Sequence, residues 1–438
     1  MTEQRIAEII ELVKKEVKPA LGCTEPAAVS LAVARSCEAL KNAGYKEIES
    51  IKVEVSANIL KNGMGVGIPG TGMVGLRIAA ALGATCGKSV YGLEVLKDLG
   101  SNSIDEAKDL DNRNRISILL AQTPKKLYIK ATVVSDGHSA ATVIEDSHDN
   151  ISSVKLDGEE LMQKSANDGN SPESLHAGDK STREYNLSVK EIVDFAENAP
   201  LGEIEFILES VTLNKALAAE GLRGNYGLNV GRTIMENMKG NLLGDSLLTY
   251  AMAVTAAASD ARMDGCVLPA MSNSGSGNQG ITATLPVIAF AEKQNVDNEK
   301  LARALILSHL VAIHIKGYLG KLSALCGCVI ASTGSSCGIV YLRGGGYREI
   351  CNAIKNMVGN ITGMVCDGAK EGCALKVASG VSSAIQSALL AMKEICVDSH
   401  DGIIDTSIEK TIENLGLIGS KGMSGADRMI LDIMVNKA

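Results

Sequence analysis

The sequence predicts an α/β N-terminal part followed by a mainly all-α helical C-terminal part, and three observations carry that expectation. Apolar and polar residues alternate in 51–55 and 127–133, with a third such stretch at 141–144, and a half-buried strand needs that period of two. Beyond residue 185, apolar residues recur at helical spacing in one segment after another. The 438 residues include no Trp and three Phe against 45 Gly, so the core must be built from Ala, Val, Ile, Leu and Met, a mixture that suits tightly packed helices better than an aromatic-rich sandwich.

Taken in order, Ile6, Ile9, Ile10 and Val13 give the first segment a helical stripe that ends near Pro19. Thr24-Glu25-Pro26 then reads as a helix start, with Thr24 as a cap and Pro26 in the first turn, leading into the Ala-rich run 27–40. Cys23 stands just before that start. The strands at 51–55, 127–133 and 141–144 follow, and from 146 to 184 the chain turns polar, with Asp157-Gly158, Asn167-Asp168-Gly169-Asn170 and Ser171-Pro172 as turn signals. The domain boundary is placed there, giving domains 1–185 and 186–438. In the second, 189–196, 203–222, 243–262, 281–293, 301–315, 347–357 and 377–394 suit helices. No solenoid repeat or long low-complexity tract is evident.

Composition excludes several function classes. A net charge of −8, with no basic run and no interleaved aromatic platform, argues against nucleic acid as a partner. Residues 1–5 open an amphipathic helix without the apolar core of a signal peptide, and no uninterrupted apolar stretch reaches membrane-spanning length, so no membrane partner is expected. An odd count of 11 cysteines without an export signal points to a reducing cytoplasm.

Cys326, Cys366 and Cys373 sit in Gly-rich turns, Leu325-Cys326-Gly327-Cys328 and Cys366-Asp367-Gly368-Ala369-Lys370-Glu371-Gly372-Cys373. Glycine lets the backbone approach a bulky inorganic group, and thiolate is the ligand that iron–sulfur clusters prefer. Three thiolates suit a cluster with one iron left open as a Lewis acid. The competing reading is that free cysteines fill the core, as is expected of Cys37, Cys351 and Cys396 in helical-looking segments. The two glycines between Cys366 and Cys373 weaken the core reading for that pair, and on the residues alone both readings stand.

Two loops and one further cysteine complete the candidate chemistry. The run Asn62-Gly63-Met64-Gly65-Val66-Gly67-Ile68-Pro69-Gly70-Thr71-Gly72 contains a formal GxGxxG after a strand and before a helical-looking 73–82. Three readings stay open: a nicotinamide fingerprint, a turn packed close to another backbone, and a substrate loop whose amides hold a carboxylate. The run Ser272-Asn273-Ser274-Gly275-Ser276-Gly277-Asn278-Gln279-Gly280 precedes a predicted helix and suits an anion such as an amino acid carboxylate, or is a plain flexible loop. Cys23, ahead of a helix N-terminus, is a candidate base or nucleophile. The six histidines, among them His138, His148, His176, His309, His314 and His400, lack a partner motif and read as surface or satisfied residues.

Together, Leu21-Gly22-Cys23-Thr24-Glu25-Pro26, the loop 62–75, the loop 272–280, Leu325-Cys326-Gly327-Cys328 and Cys366-Asp367-Gly368-Ala369-Lys370 with Gly372-Cys373-Ala374 resemble the L-cysteine desulfidase family through nearly the whole chain. The helical half is also similar, more distantly, to the α portion of the iron–sulfur L-serine dehydratases. The resemblance implies a pyridoxal-free lyase whose helical C-terminal domain is catalytic, using a 4Fe-4S cluster to break L-cysteine into pyruvate, ammonia and sulfide. It implies Cys326, Cys366 and Cys373 as cluster ligands, with Cys328 the alternative to Cys326, and Cys23 as the base. Asn62, Gly70, Thr71, Gly72, Ser272, Asn273, Ser274 and Asn278 become the substrate-binding candidates. Serine dehydratases carry a Gly-His-Gly-Thr histidine, whereas the loop here reads Gly65-Val66-Gly67-Ile68, which moves the base role toward Cys23 and counts against serine. The expected partner is a small amino acid and the expected assembly a homodimer. The alternatives are a serine dehydratase-like lyase and, in a different class, a non-catalytic zinc or iron–sulfur sensor module.

Overall fold

The computed structural model describes residues 1–163, 185–240, 242–320 and 323–437. The turn signals at 167–172, His176 and most of the stretch assigned to the domain boundary lie outside the described residues. The chain forms two compact units, Gly22–Ser181 and Met1–Leu21 with Thr182–Ala438.

The first unit is α/β. Six strands lie in the order Ile116–Leu120, Ile48–Val55, Tyr128–Ser135, His138–Glu145, Ile151–Leu156, Glu159–Gln163. The first pair is parallel and the remaining pairs antiparallel, with Ile129 opposite both Val55 and Ile144. The period of two predicted here is seen directly: Ile129, Ala131 and Val133 are fully buried and their neighbours half-buried. Helix Thr24–Asn42 packs on these strands, and Ser36 Oγ reaches Ala131 O at 3.1 Å and Thr142 Oγ1 at 2.8 Å, which satisfies a polar group sealed inside the layer. Helix Leu76–Thr85 lies against Thr24–Asn42 at Gly83, where a Cβ would sit 2.5 Å from Ser30 O. Leu31, Leu40, Ile51 and Ile129 are each almost fully buried, worth about 1.5–3 kcal/mol apiece.

Three strands escaped the sequence reading. Ile116–Leu120 has no alternation, and Leu119 and Leu120 are exposed at the sheet edge. Ile151–Leu156 and Glu159–Gln163 are short and polar, held by the Asp157-Gly158 turn, both of whose residues have positive φ. The Gly-rich run also folds differently from the expectation. Helix Ala57–Gly63 separates strand from glycines, and the run forms a small hairpin of Gly67–Ile68 with Met73–Val74, so the next helix begins at Leu76 instead of Met73. A dinucleotide fingerprint needs strand, glycines and helix in direct succession, so the nicotinamide reading fails here.

The second unit is nearly all helical. Helix Glu3–Glu16 belongs to it and not to the α/β unit, because Ile9, Ile10 and Val13 join the same apolar cluster as Ile192 and Phe195, and Arg5 Nε bonds Glu191 Oε1 at 2.7 Å. Pro19–Ala20 then pairs antiparallel with Ala270–Met271. The centre is formed by helices Leu247–Met263, Gly277–Gln294, Asn298–Leu319, Gly327–Leu342 and Cys373–Ala391. Gly334 lets the third and fourth of these meet backbone to backbone, since a Cβ there would lie 2.2 Å from Ser308 O. Helices Glu209–Arg223, Val230–Lys239, Tyr347–Ile361, Ile408–Leu417 and Ser424–Val435 surround the centre. Cys373–Ala391, though interrupted by Lys376, is long and apolar enough to pass for a membrane span, and it packs against five other helices of the unit.

The core reading of the remaining cysteines holds unevenly. Cys337 is fully buried, Cys37 and Cys351 are partly buried, and Cys396 is exposed because the helix that was expected to run to 394 ends at Ala391.

Candidate functional site

In the helical unit, two short extended segments bring the cysteine turns together. Leu325 and Val365 form an isolated antiparallel bridge, with Cys326 N donating to Met364 O at 3.0 Å and Cys366 N to Ala324 O at 2.7 Å. Cys326 and Cys366 are therefore diagonal neighbours across a strand pair. Cys326 is the N-cap of helix Gly327–Leu342, and Cys373 is the first residue of helix Cys373–Ala391. Two helix N-termini thus open on the same cysteines, and their partial positive charge favours thiolate.

Charge separates the two candidates for the first ligand. The Cys328 side chain hydrogen-bonds to Cys326 and, with the Cys328 backbone amide and Lys376, outweighs burial to bring Cys326 down to about 7. Cys328, by the same bond and by burial, is driven well above the ordinary thiol range. Cys326 is thus the thiol prepared to ionise and Cys328 its donor. Burial pushes Cys373 up to about 12, with the neighbouring Cys326 and Cys366 adding to the effect. Burial also works to raise Asp367, but hydrogen bonds from Lys370 and Lys376 prevail and leave it at about 2. Lys376 also donates to Val365 O at 2.8 Å, which ties the charged cluster to the bridge.

Among the described residues no three His, Cys, Asp or Glu side chains converge as ligands of a single ion. The four cysteines Cys326, Cys328, Cys366 and Cys373 nonetheless form no disulfide and are close enough to feel one another's charge. Thiolate is the donor that a cluster of four irons and four sulfides takes, so the donor type suits such a group.

The loop 272–280 adjoins this turn. Gln279 Oε1 lies against Gly327, where a Cβ would come within 3.1 Å of it. Ser272 gives both its amide and its hydroxyl to Lys18 O, at 2.9 and 2.6 Å. Asn273 is fully buried with its amide committed inside the protein, and Ser274, at φ +48, donates to Asn273 Oδ1 at 2.9 Å. Ser276 caps helix Gly277–Gln294. Asn278 Oδ1 faces Arg262 Nη1 at 3.5 Å, and the same guanidinium fills the place where a Gly277 Cβ would be. Two neighbours of this loop, Arg262 and His309, and Gln279 within it were not among the site residues expected from the sequence. A charged Asp260-Ala261-Arg262 on an otherwise apolar helical run was the available signal for Arg262.

In the α/β unit, Cys23 is the N-cap of helix Thr24–Asn42 and is 6% exposed, while Thr24, the expected cap, is the first helical residue. Gly22 takes φ +68 against Pro69, whose ring a Cβ would meet at 2.8 Å, so the Cys23 turn rests on the glycine hairpin. Asn62 Nδ2 donates to Glu25 Oε1 at 3.2 Å in the first turn of the same helix. Thr71 shapes the hairpin between Gly70 and Gly72, both at positive φ, by donating to Ile68 O at 2.8 Å and accepting from Met73 N at 3.0 Å. Cys23, Asn62 and residues 70–72 therefore cluster within this unit, as Ser272, Asn273, Ser274, Asn278 and the cysteines do within the other.

One chain thus joins a helical unit, in which cysteines gather beside two helix N-termini, to an α/β unit with a capping cysteine. The chain belongs to the serine dehydratase α chain family, whose model matches residues 90–432, and it is a lyase-type enzyme of that family. It is 49% identical over 438 residues, the whole of both chains, to a UPF0597 protein of Bacteroides fragilis. It is 51% identical over 433 residues to one of Phocaeicola vulgatus, covering 98% of this chain and 97% of the other, and 49% identical over 437 residues, all of both chains, to one of Oleidesulfovibrio alaskensis.

Proposed function

We propose that the protein is an L-cysteine desulfidase that eliminates sulfide from L-cysteine, leaving aminoacrylate, which hydrolyses to pyruvate and ammonia. The observation that supports this most is the gathering of Cys326, Cys366 and Cys373, none of them in a disulfide, in a chain of the serine dehydratase α family. A 4Fe-4S cluster held by those three thiolates would supply an open iron as Lewis acid for the leaving sulfur. The chain's own residues do the rest. Cys328 keeps Cys326 ionised, and Lys376 balances the accumulated negative charge. The Gly277 and Asn278 amides at the start of helix Gly277–Gln294, with the Asn278 side chain, orient the substrate carboxylate beside the thiols. Cys23 takes the Cα proton, its thiolate favoured by the helix it caps.

Dehydration of L-serine is the second reading, favoured by the family name itself. Thiolate is the softer partner for iron, and the loop 65–68 carries no histidine to serve as base, which supports cysteine. The enzyme is proposed to be a cytoplasmic homodimer. Anaerobic assays on cluster-reconstituted protein test the reading. Sulfide should appear from L-cysteine with a higher specificity constant than pyruvate from L-serine, and the reverse order would transfer the assignment to serine. Cys366→Ala and Cys373→Ala should lose iron and activity together, whereas Cys23→Ala should keep most of the iron and lose turnover. Zinc in place of iron and sulfide would favour the sensor module.

A further inference from the structure

His309 lies fully buried in helix Asn298–Leu319, and nothing in the proposed reaction uses it. Both ring nitrogens are engaged: Asn273 Nδ2 is 3.0 Å from Nδ1, and Thr284 Oγ1 is 3.2 Å from Nε2. The neighbours fix which atom donates. Gln279 Nε2 gives a hydrogen to Asn273 Oδ1 at 2.8 Å, and the Ser274 hydroxyl gives another at 2.9 Å. That turns the Asn273 amino group toward His309, where one hydrogen meets Nδ1 and the other reaches His309 O at 3.2 Å. Nδ1 must then accept, and the ring proton sits on Nε2. Thr284 Oγ1 receives it and passes its own hydrogen to Gly280 O at 2.7 Å. Every polar hydrogen between His309 and the loop is accounted for by one arrangement. A second ring proton would aim an N–H at an NH2 group, and burial alone already holds the imidazole down at about 3.

We infer that His309 is a positioning residue: its bare Nδ1 orients Asn273, Asn273 orients Gln279, and Gln279 sets the loop 272–280 against Gly327 beside Cys326 and Cys328. The loop cannot shift as a whole, because a Cβ at Gly280 would lie 2.0 Å from Met271 O, so the first turn of helix Gly277–Gln294 already rests on backbone. What the imidazole controls is the orientation of the amides between these fixed points. The kinetic consequence rests on the lyase reading, in which loop amides grip the substrate carboxylate. The hydrogen-bond arrangement does not depend on it.

The test uses the intact chain. At pH 7 the ¹⁵N shifts of the His309 ring should be those of a neutral Nε2–H imidazole. Asn273→Asp keeps the side-chain volume but replaces the amino group by an acceptor, so it should move the His309 signal to an Nδ1-protonated form. His309→Leu should speed amide exchange in 272–280 while leaving helix Ile408–Leu417 protected, and should raise KM for L-cysteine by about tenfold or more with iron content unchanged. His309→Asn, which retains an acceptor near Nδ1, should recover part of that loss. An Nδ1–H tautomer in the unaltered protein overturns the inference, as does a His309→Leu variant with normal loop exchange and normal KM. Should His309→Leu fail to fold, an Asn273→Asp protein with an unchanged His309 signal overturns it equally. Lack of turnover in the unaltered, cluster-loaded protein sinks the lyase reading and leaves the tautomer and exchange results to decide on His309.

Discussion

Replacing Asp367 by Asn should destabilise the protein and at the same time make Cys326 more reactive, an unusual pair of effects that follows from one carboxylate facing two lysines and a thiol. Asp367 is held at about 2 against an ordinary 3.8 by Lys370 and Lys376. The drop from 3.8 to about 2 corresponds to roughly 2.4 kcal/mol. The side chain is 37% exposed, so solvent screening cuts the figure to about 1 kcal/mol. A carboxylate with a lowered folded pKa stabilises above its unfolded value and loses that contribution as pH falls through the folded one. Urea titration of metal-free protein should therefore find Asp367→Asn about 1 kcal/mol weaker at pH 7, with the gap closing as pH drops from about 4 toward 2. The negative charge of Asp367 raises the Cys326 pKa and the positive charge of Lys376 lowers it. Alkylation of Cys326 should thus begin at lower pH in Asp367→Asn and at higher pH in Lys376→Met. Equal alkylation profiles in the two variants, or a stability gap that persists unchanged at pH 2, would refute the reasoning.

Two further predictions concern the helical unit. Burial raises Asp260 to about 6 despite hydrogen bonds from the Gly231 and Val230 amides, so its contribution is full below the unfolded pKa and lost as pH rises through 6. Asp260→Asn should accordingly gain on the unaltered protein between pH 5 and pH 8, by at most about 1.4 kcal/mol, in denaturant melts at the two pH values. Gly334→Ala drives a Cβ into Ser308 O and should cost about 1–3 kcal/mol, whereas Gly202→Ala, with nothing within 4 Å, should stay within about 0.5 kcal/mol of the unaltered protein in thermal scans.

What the sequence disclosed followed the strength of each local pattern. Strand Tyr128–Ser135 alternates cleanly and was placed within a residue or two, and the long apolar helices were located with ends off by a few residues. Helix Gly327–Leu342 was missed because its run of Ser, Thr, Gly and Cys has poor helix propensity, and what makes it helical is close packing against Asn298–Leu319 through Gly334 and Gly338. The cysteine turns and both loops were visible as motifs, since glycine and polar clusters punctuate sequence. How the cysteine turns and the loop 272–280 meet within the helical unit was not, because the bridge of Leu325 with Val365 and the contact of Gln279 with Gly327 depend on pairings remote in the chain. His309 carried no sequence signal at all: its meaning lies in hydrogen bonds to Asn273 of the loop and Thr284 of the helix that follows, 36 and 25 residues away.

The helical unit is discontinuous in the chain, with its first 21 residues separated from the rest by the α/β unit. Pro19–Ala20 has no pairing partner until Ala270–Met271 has left the ribosome, some 250 residues later. At about 5–20 residues per second, the amphipathic helix Glu3–Glu16 waits roughly 9–36 s for Ile192 and Phe195, with Ile9, Ile10 and Val13 uncovered while the α/β unit completes its own contacts. A slow stretch of synthesis before residue 195 would lengthen that exposure without changing the finished fold.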